Sequence, residues 1–181
     1  MKKIIVPIIL SFILFTGCGE KLNNTPTKQV EMFFMNYQTL NQKVIDDLDN
    51  VLKNDNTMTN DQKEKYKEIM KKHYKNLTYD IKNEVVNGDT AVVTVEIEVY
   101  DYSKKKASVD EYVKNHPDEF LDDDNKFSDE KFISYRLSEF ENVKDKVKYT
   151  LELNLTKIDD KWELNDISSI DEDKILGIYE Y

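Results

Sequence analysis

The sequence predicts an α+β domain: N-terminal helices packed on a curved antiparallel sheet of two long hairpins, with a helical insert between the hairpins. Three observations carry this. Apolar residues from Val30 to Leu52 recur at spacings of three and four. From Leu77 the period drops to two, in two separate stretches that each hold a turn signal. Between those stretches helical spacing returns. Strands grouped after helices, rather than alternating with them, are the α+β pattern.

Thr25-Pro26 reads as an N-cap followed by proline at the first helical position. The stripe Val30, Phe33, Phe34, Tyr37, Leu40, Val44, Ile45, Leu48, Val51 and Leu52 predicts one long amphipathic helix, ended by Asn54-Asp55-Asn56. Thr59 with Gln62 is a capping box for a second helix, with Tyr66, Ile69, Met70 and Tyr74 inward and its lysines outward. Leu77, Tyr79, Ile81 and Val85 then alternate with polar residues, Asn87-Gly88-Asp89 turns the chain, and Ala91, Val93, Val95, Ile97 and Val99 alternate back. The second hairpin places Val147, Tyr149, Leu151, Leu153 and Leu155 on one face, turns at Asp159-Asp160-Lys161, and returns through Trp162, Leu164 and Ile167.

The insert, residues 103–142, carries two helix starts. Ser108 with Glu111 resembles a capping box for a short helix holding Val109, Tyr112 and Val113, ended before Pro117. Ser128 caps a helix running to about Asn142, with Phe132, Ile133, Leu137 and Phe140 inward. The last stretch, Ile170 to Tyr181, fits either a final turn of helix or an edge strand.

The N-terminus has a separate logic. Met1-Lys2-Lys3 is positive, and Ile4 to Phe15 is an uncharged run followed by small Thr16 and Gly17, the layout of a secretory signal. A membrane-spanning helix needs about 20 apolar residues, and this run is shorter and contains Pro7. Phe15-Thr16-Gly17-Cys18 resembles the lipobox of bacterial lipoproteins, with Phe15 where leucine is usual. The resemblance implies cleavage after residue 17, diacylglycerol on the Cys18 thiol, residues 18–24 as lipidated cysteine and short tether, and 25–181 as a single domain. It places the protein at the extracytoplasmic face of the cell membrane. As the chain's one cysteine, Cys18 has no partner for an intrachain disulfide.

Removing 17 of the 181 residues leaves 164, with 24 basic against 36 acidic side chains and a formal charge of −12. Such a chain is repelled by anionic lipid and by nucleic acid, so the anchor must hold it at the membrane and no nucleic-acid partner is expected. Gly19 to Asn24 reach only about 20 Å when extended, which keeps the domain close to the bilayer.

Two helices followed by two hairpins, the last reading KIDDKWEL from Lys157 to Leu164, with the Thr25-Pro26 start and the late Trp162, resemble the nuclear-transport-factor-2-like superfamily over roughly Thr25 to Ile167. The resemblance implies a cone in which helices cover the concave face of the sheet. That superfamily includes isomerases, dehydratases and noncatalytic binders, so the fold by itself implies no activity.

Chemistry has to come from the side chains. His73 lies in a lysine-rich helix end and His116 precedes Pro117; both are expected at the surface. With one cysteine and no histidine pair at useful spacing, no zinc site is expected. Asp122-Asp123-Asp124 invites a calcium reading, but an EF-hand needs Gly at its sixth position and Glu at its twelfth, and counting from Asp122 gives Phe127 and Ile133. It reads as a solvated acidic loop. Four glycines supply neither a nucleophile elbow nor a phosphate loop, so no catalytic set, metal or cofactor is expected. Glu96 and Glu98 lie on the face opposite Val93, Val95 and Ile97 and should point to solvent.

Polar residues on the buried register are the better candidates: Tyr79, Asn83, Asp101 and Tyr149, with Asp166 if the last strand keeps Trp162 and Leu164 inward. A pocket lined by them would suit a small ligand. The ketosteroid isomerase branch of the superfamily implies that a buried aspartate beside tyrosines can serve as a general base.

The leading reading is a noncatalytic lipoprotein domain that binds a small ligand or another envelope protein. The second is an isomerase- or dehydratase-like enzyme using Asp101 with Tyr79 or Tyr149. The third is an interaction module whose acidic insert, with Asp122, Asp123 and Asp124 at its centre, recruits a cationic partner; Asp118 to Glu130 hold seven acidic residues against one lysine.

Overall fold

The computed structural model describes residues 24–180. The signal segment 1–17, Cys18 and the tether as far as residue 23 lie outside the described residues, as does Tyr181. The chain runs α1 (Pro26–Gln38), α2 (Gln42–Asn54), α3 (Asn60–Asn76), β1 (Thr78–Asn87), β2 (Thr90–Tyr100), α4 (Tyr102–Asn115), a 3-10 turn (Pro117–Phe120), α5 (Asp129–Glu141), β3 (Lys146–Ile158), β4 (Lys161–Leu164) and α6 (Ser169–Leu176). The strands form one antiparallel sheet in the order β1-β2-β3-β4, with α4 and α5 inserted between its two central strands. The predicted α+β class and the placement of the insert hold.

Thr25 caps α1 by accepting from the Lys28 amide, and Pro26 fills the first position. The Glu84 carboxylate accepts from the Thr27 amide at 2.8 Å and the Thr27 hydroxyl at 2.6 Å. A negative charge at the positive end of a helix dipole stabilises it, and this one also staples β1 to the start of α1.

The single long helix expected from Val30 to Leu52 is two helices. Leu40 adopts φ 52°. Its amide bonds the Tyr37 carbonyl at 3.0 Å and the Asn41 amide bonds that of Asn36 at 2.8 Å, the pair of bonds that closes a Schellman motif. Asn41 then caps α2 by accepting from the Lys43 amide. The apolar stripe continues across the break because its halves bury against different partners. Val30 and Phe34 pack on the sheet, whereas Leu48 and Leu52 pack on Met70 and Tyr74 of α3. Spacing alone cannot distinguish one partner from two.

The capping box that opens α3 is complete in both directions. The Gln62 amide group also donates to the Glu130 carbonyl and the Ser134 hydroxyl, tying α3 to the start of α5.

The inner face of the sheet is the main core. Val93, Val95, Ile97 and Val99 of β2 and Leu151, Leu153 and Leu155 of β3 are buried, with Val30 and Phe34 lying over them. Burial of such a side chain contributes roughly 1.5–3 kcal/mol. On the outer face Glu96 meets Lys148 at 3.0 Å and Lys82 at 3.5 Å, and Glu98 meets Lys146 at 3.5 Å. The Lys148 hydrogen bond holds the Glu96 carboxyl below its usual range. Glu96 and Glu98 thus form a cross-strand charge ladder facing solvent, as expected.

The period of two fails at one point. The β1–β2 register steps between Ile81↔Val95 and Asn83↔Thr94, a bulge at Lys82. Every residue beyond a bulge changes face. Asn83, predicted inward, therefore lies opposite outward-facing Thr94 and is exposed, and Glu84 takes the inward side where it reaches α1.

Both hairpin turns have the expected chemistry. Gly88 has φ 60°, while Asp159 and Asp160 have φ 48° and 63°, the double positive φ of a type I′ turn. The second hairpin is lopsided, since β3 has 13 residues and β4 only 4.

In the insert, α4 begins earlier than Ser108. Its cap is Asp101, whose carboxylate accepts from the Lys104 amide at 2.9 Å. Ser108 lies inside the helix and bonds back to the Lys104 carbonyl. Ser128 caps α5 as predicted. The ambiguous C-terminal stretch resolves as α6, followed by Ile178, Tyr179 and Glu180.

Candidate functional site

The five residues expected to line a pocket are not gathered into one. Tyr79 and Tyr149 share a cross-sheet row, each opposite Ile97. The space beside Tyr79 is taken by Phe34, stacked on it at 5.0 Å, and the Tyr149 hydroxyl donates to the Tyr179 carbonyl at 3.2 Å. Asp101 is buried, with its carboxylate capping α4 and its amide donating to the Asp145 carbonyl. Asn83 is exposed on the outer side of the bulge, and Asp166 is exposed beyond β4.

In the acidic loop, one oxygen of Asp122 accepts from the amides of Asp124 and Lys126, both at 2.9 Å. The loop is thus closed on its own backbone, leaving Asp123 and Asp124 exposed. Among the described residues no three His, Cys, Asp or Glu side chains are placed to hold a metal ion.

His73 is a correction: expected at the surface, it is fully buried. It sits in the last turn of α3, where its Nε2 lies 2.8 Å from the Ile175 carbonyl. A carbonyl only accepts, so Nε2 carries the proton and Nδ1, which has no partner, is bare. The rings of Tyr74, Tyr100 and Tyr102 surround it. Burial, assisted by the Lys146 charge and opposed by the Ile175 bond, pushes its pKa down to about 4. The signal was in the sequence: 66, 69, 70, 73 and 74 continue one helical stripe, and His73 falls on it.

His73 belongs to the footing of a different site. A cleft of about 570 Å³ opens between α3, α4, α5 and the C-terminal segment. Its apolar wall is made by Tyr66, Leu137, Phe140 and Tyr179, and its charged groups are Lys106, Arg136, Asp173 and Glu180. Three contacts fix the C-terminal side. The Ile175 carbonyl is held by His73, the Gly177 carbonyl accepts from the Ser103 amide at 2.9 Å, and the Tyr179 carbonyl accepts from Tyr149. The Lys174 ammonium lies over the Tyr179 ring at 5.6 Å. Opposite, Phe140 stacks on Tyr102 at 5.0 Å, which sets the α5 wall against the start of α4.

The charges in the cleft differ in their partners. Lys106 and Glu180 are joined at 2.6 Å, a hydrogen bond that raises the lysine pKa and lowers that of the glutamate. Arg136 has no carboxylate partner among the described residues; its guanidinium lies over the Phe132 ring at 5.2 Å. Burial raises the Tyr66 hydroxyl pKa, and the Arg136 charge opposes that rise. Sequence reading found the helix faces that build this cleft but not the cleft itself, which needs the C-terminal segment beside α5. One signal was available: Arg136 is the chain's sole arginine.

Comparison with protein-family models, with curated proteins and with solved structures returns no match.

Proposed function

We propose that this chain is a lipid-anchored protein of the extracytoplasmic membrane face whose domain binds a ligand, without catalysis, in the cleft between the helical insert and the C-terminal segment. The observation that carries the binding role is Arg136, an unpaired guanidinium set in an aromatic-walled cleft. In the described lining Lys106 and Glu180 are joined to each other at 2.6 Å, which leaves Arg136 as the charge offered to a ligand. Val30 and Phe34 fill the inner sheet face, so the space for a ligand lies at the insert.

The anchor is supported by the Phe15-Thr16-Gly17-Cys18 segment and by where the chain enters the fold. The Asn24 side chain accepts from the Trp162 amide at 2.9 Å, at the end of the sheet that carries both hairpin turns. The cleft lies at the other end, where Tyr100 leads into α4, roughly 30 Å along an 11-residue strand. A lipid on Cys18 would turn the hairpin tips toward the bilayer and leave the cleft facing outward.

Mass measurement on membrane-extracted protein is expected to find Cys18 as the first residue, carrying diacylglycerol, and Cys18→Ser is expected to release the chain from the membrane fraction. An unmodified N-terminus at any other residue, or a Cys18→Ser chain still membrane-bound, would sink the anchor.

A further inference from the structure

Resting on the reading of the cleft as a binding site, we infer that its ligand is a monocarboxylate with an apolar body, its carboxylate held by Arg136 and its body against Tyr66, Phe140 and Tyr179. The chain has 26 basic residues, of which Arg136 alone is arginine. Within the cleft the other cation, Lys106, is tied to Glu180, so Arg136 is the one left without a carboxylate there, in a protein with ten more acidic than basic side chains.

The choice of residue has a chemical meaning. A guanidinium is a planar fork that meets a carboxylate with two parallel hydrogen bonds, whereas an ammonium is a point charge. Laid over Phe132 at 5.2 Å, the fork is restrained before any ligand arrives, which lowers the ordering cost of binding.

The carboxylates in the cleft narrow the class. Asp173 and Glu180 also line it. A ligand with one negative charge can meet Arg136 and avoid them. A phosphate or a dicarboxylate would carry extra charge toward them, and like-charge juxtaposition is how a site rejects a near neighbour. The aromatic wall then selects for apolar surface next to the carboxylate. Two sources share this chemistry, a free organic acid and the C-terminus of a peptide ending in an apolar residue.

The lone arginine also makes the test clean, because the 15N-labelled full chain has a single arginine Nε–H resonance and a single tryptophan indole resonance. The titrants are 3-phenylpropionate and N-acetyl-alanyl-phenylalanine, each beside its own amide, and inorganic phosphate. Both acids, at roughly millimolar affinity as fragments of this size bind, are expected to move the Arg136 resonance. The amides and phosphate should leave it in place, and Trp162 at the far end of the sheet should stay still throughout. Arg136→Lys is expected to weaken the acids about tenfold and Arg136→Gln to abolish the difference between acid and amide. Movement by the peptide but not by phenylpropionate assigns the ligand to chain termini; movement by both assigns it to carboxylates generally. If acids and amides shift the amides of Phe140 and Tyr179 equally while Arg136 stays still, or if phosphate alone moves it, the carboxylate inference is overturned and the cleft remains a binding site. If none of the titrants perturbs any cleft resonance, both are overturned.

Discussion

Gly177→Ala is expected to destabilise the domain by about 3–5 kcal/mol, the range of a buried steric clash joined to backbone strain. Gly177 has φ 70° at the end of α6, and a Cβ there would overlap the Tyr100 carbonyl oxygen. The left-handed conformation alone costs an alanine about 1–2 kcal/mol. The overlap adds to it, because the obstructing atom is backbone at the end of β2 and cannot rotate away. A drop in Tm of roughly 10 °C follows for a domain of this size. Gly88→Ala is the internal control. Gly88 has φ 60° but nothing within 4 Å of its would-be Cβ, so only the conformational cost applies. Thermal unfolding of the two variants should separate them clearly. Equal, small losses would mean that Gly177 is not seated against Tyr100 in solution. Because Ile178, Tyr179 and Glu180 follow directly and line the cleft, Gly177→Ala should also weaken whatever the cleft binds.

The second large effect is on pH dependence and comes from His73. In the folded chain its pKa is pushed down to about 4, against about 6.5 for an unfolded histidine. Between those values the unfolded chain binds a proton that the folded chain does not. Stability therefore falls as pH falls through that window, with a slope of up to about 1.4 kcal/mol per pH unit. The groups facing the ring are Tyr74, Tyr100, Tyr102 and, through its charge, Lys146, none of which offers His73 a negative partner. Denaturant unfolding from pH 7 to 4.5 measures the slope. His73→Gln isolates it, since a glutamine amide can still donate to the Ile175 carbonyl but does not titrate; its profile should be flatter by the histidine contribution. A His73 ring that titrates above pH 6 by NMR, or equal slopes in the two proteins, would contradict the burial.

Most of the architecture was legible from spacing. The period of two in Val93, Val95, Ile97 and Val99 placed the sheet's inner face, and Thr59 with Gln62 placed the start of α3 to the residue. What escaped depended on contacts far apart in the chain. The break at Leu40 lies in an unbroken apolar stripe because α1 and α2 bury against different partners. The bulge at Lys82 moved Asn83 outward, and no single-strand pattern announces a bulge. Asp101, read as a buried acid, is buried because it caps α4, a use that only the position of that helix reveals. His73 was hidden by the lysines beside it, although its helical register pointed inward. The cleft was the least legible, since it is assembled from five segments between Tyr66 and Glu180.

The proposed binding site is the insert end of the domain and not the space between helices and sheet. The most direct measurement is the map of backbone amides perturbed when N-acetyl-alanyl-phenylalanine is titrated into the labelled full chain. The perturbed residues are expected to cluster at Tyr66, Arg136, Phe140 and Tyr179, leaving the inner sheet face unchanged. A map centred on Tyr79, Ile97 and Tyr149 would contradict the account and return the site to the sheet.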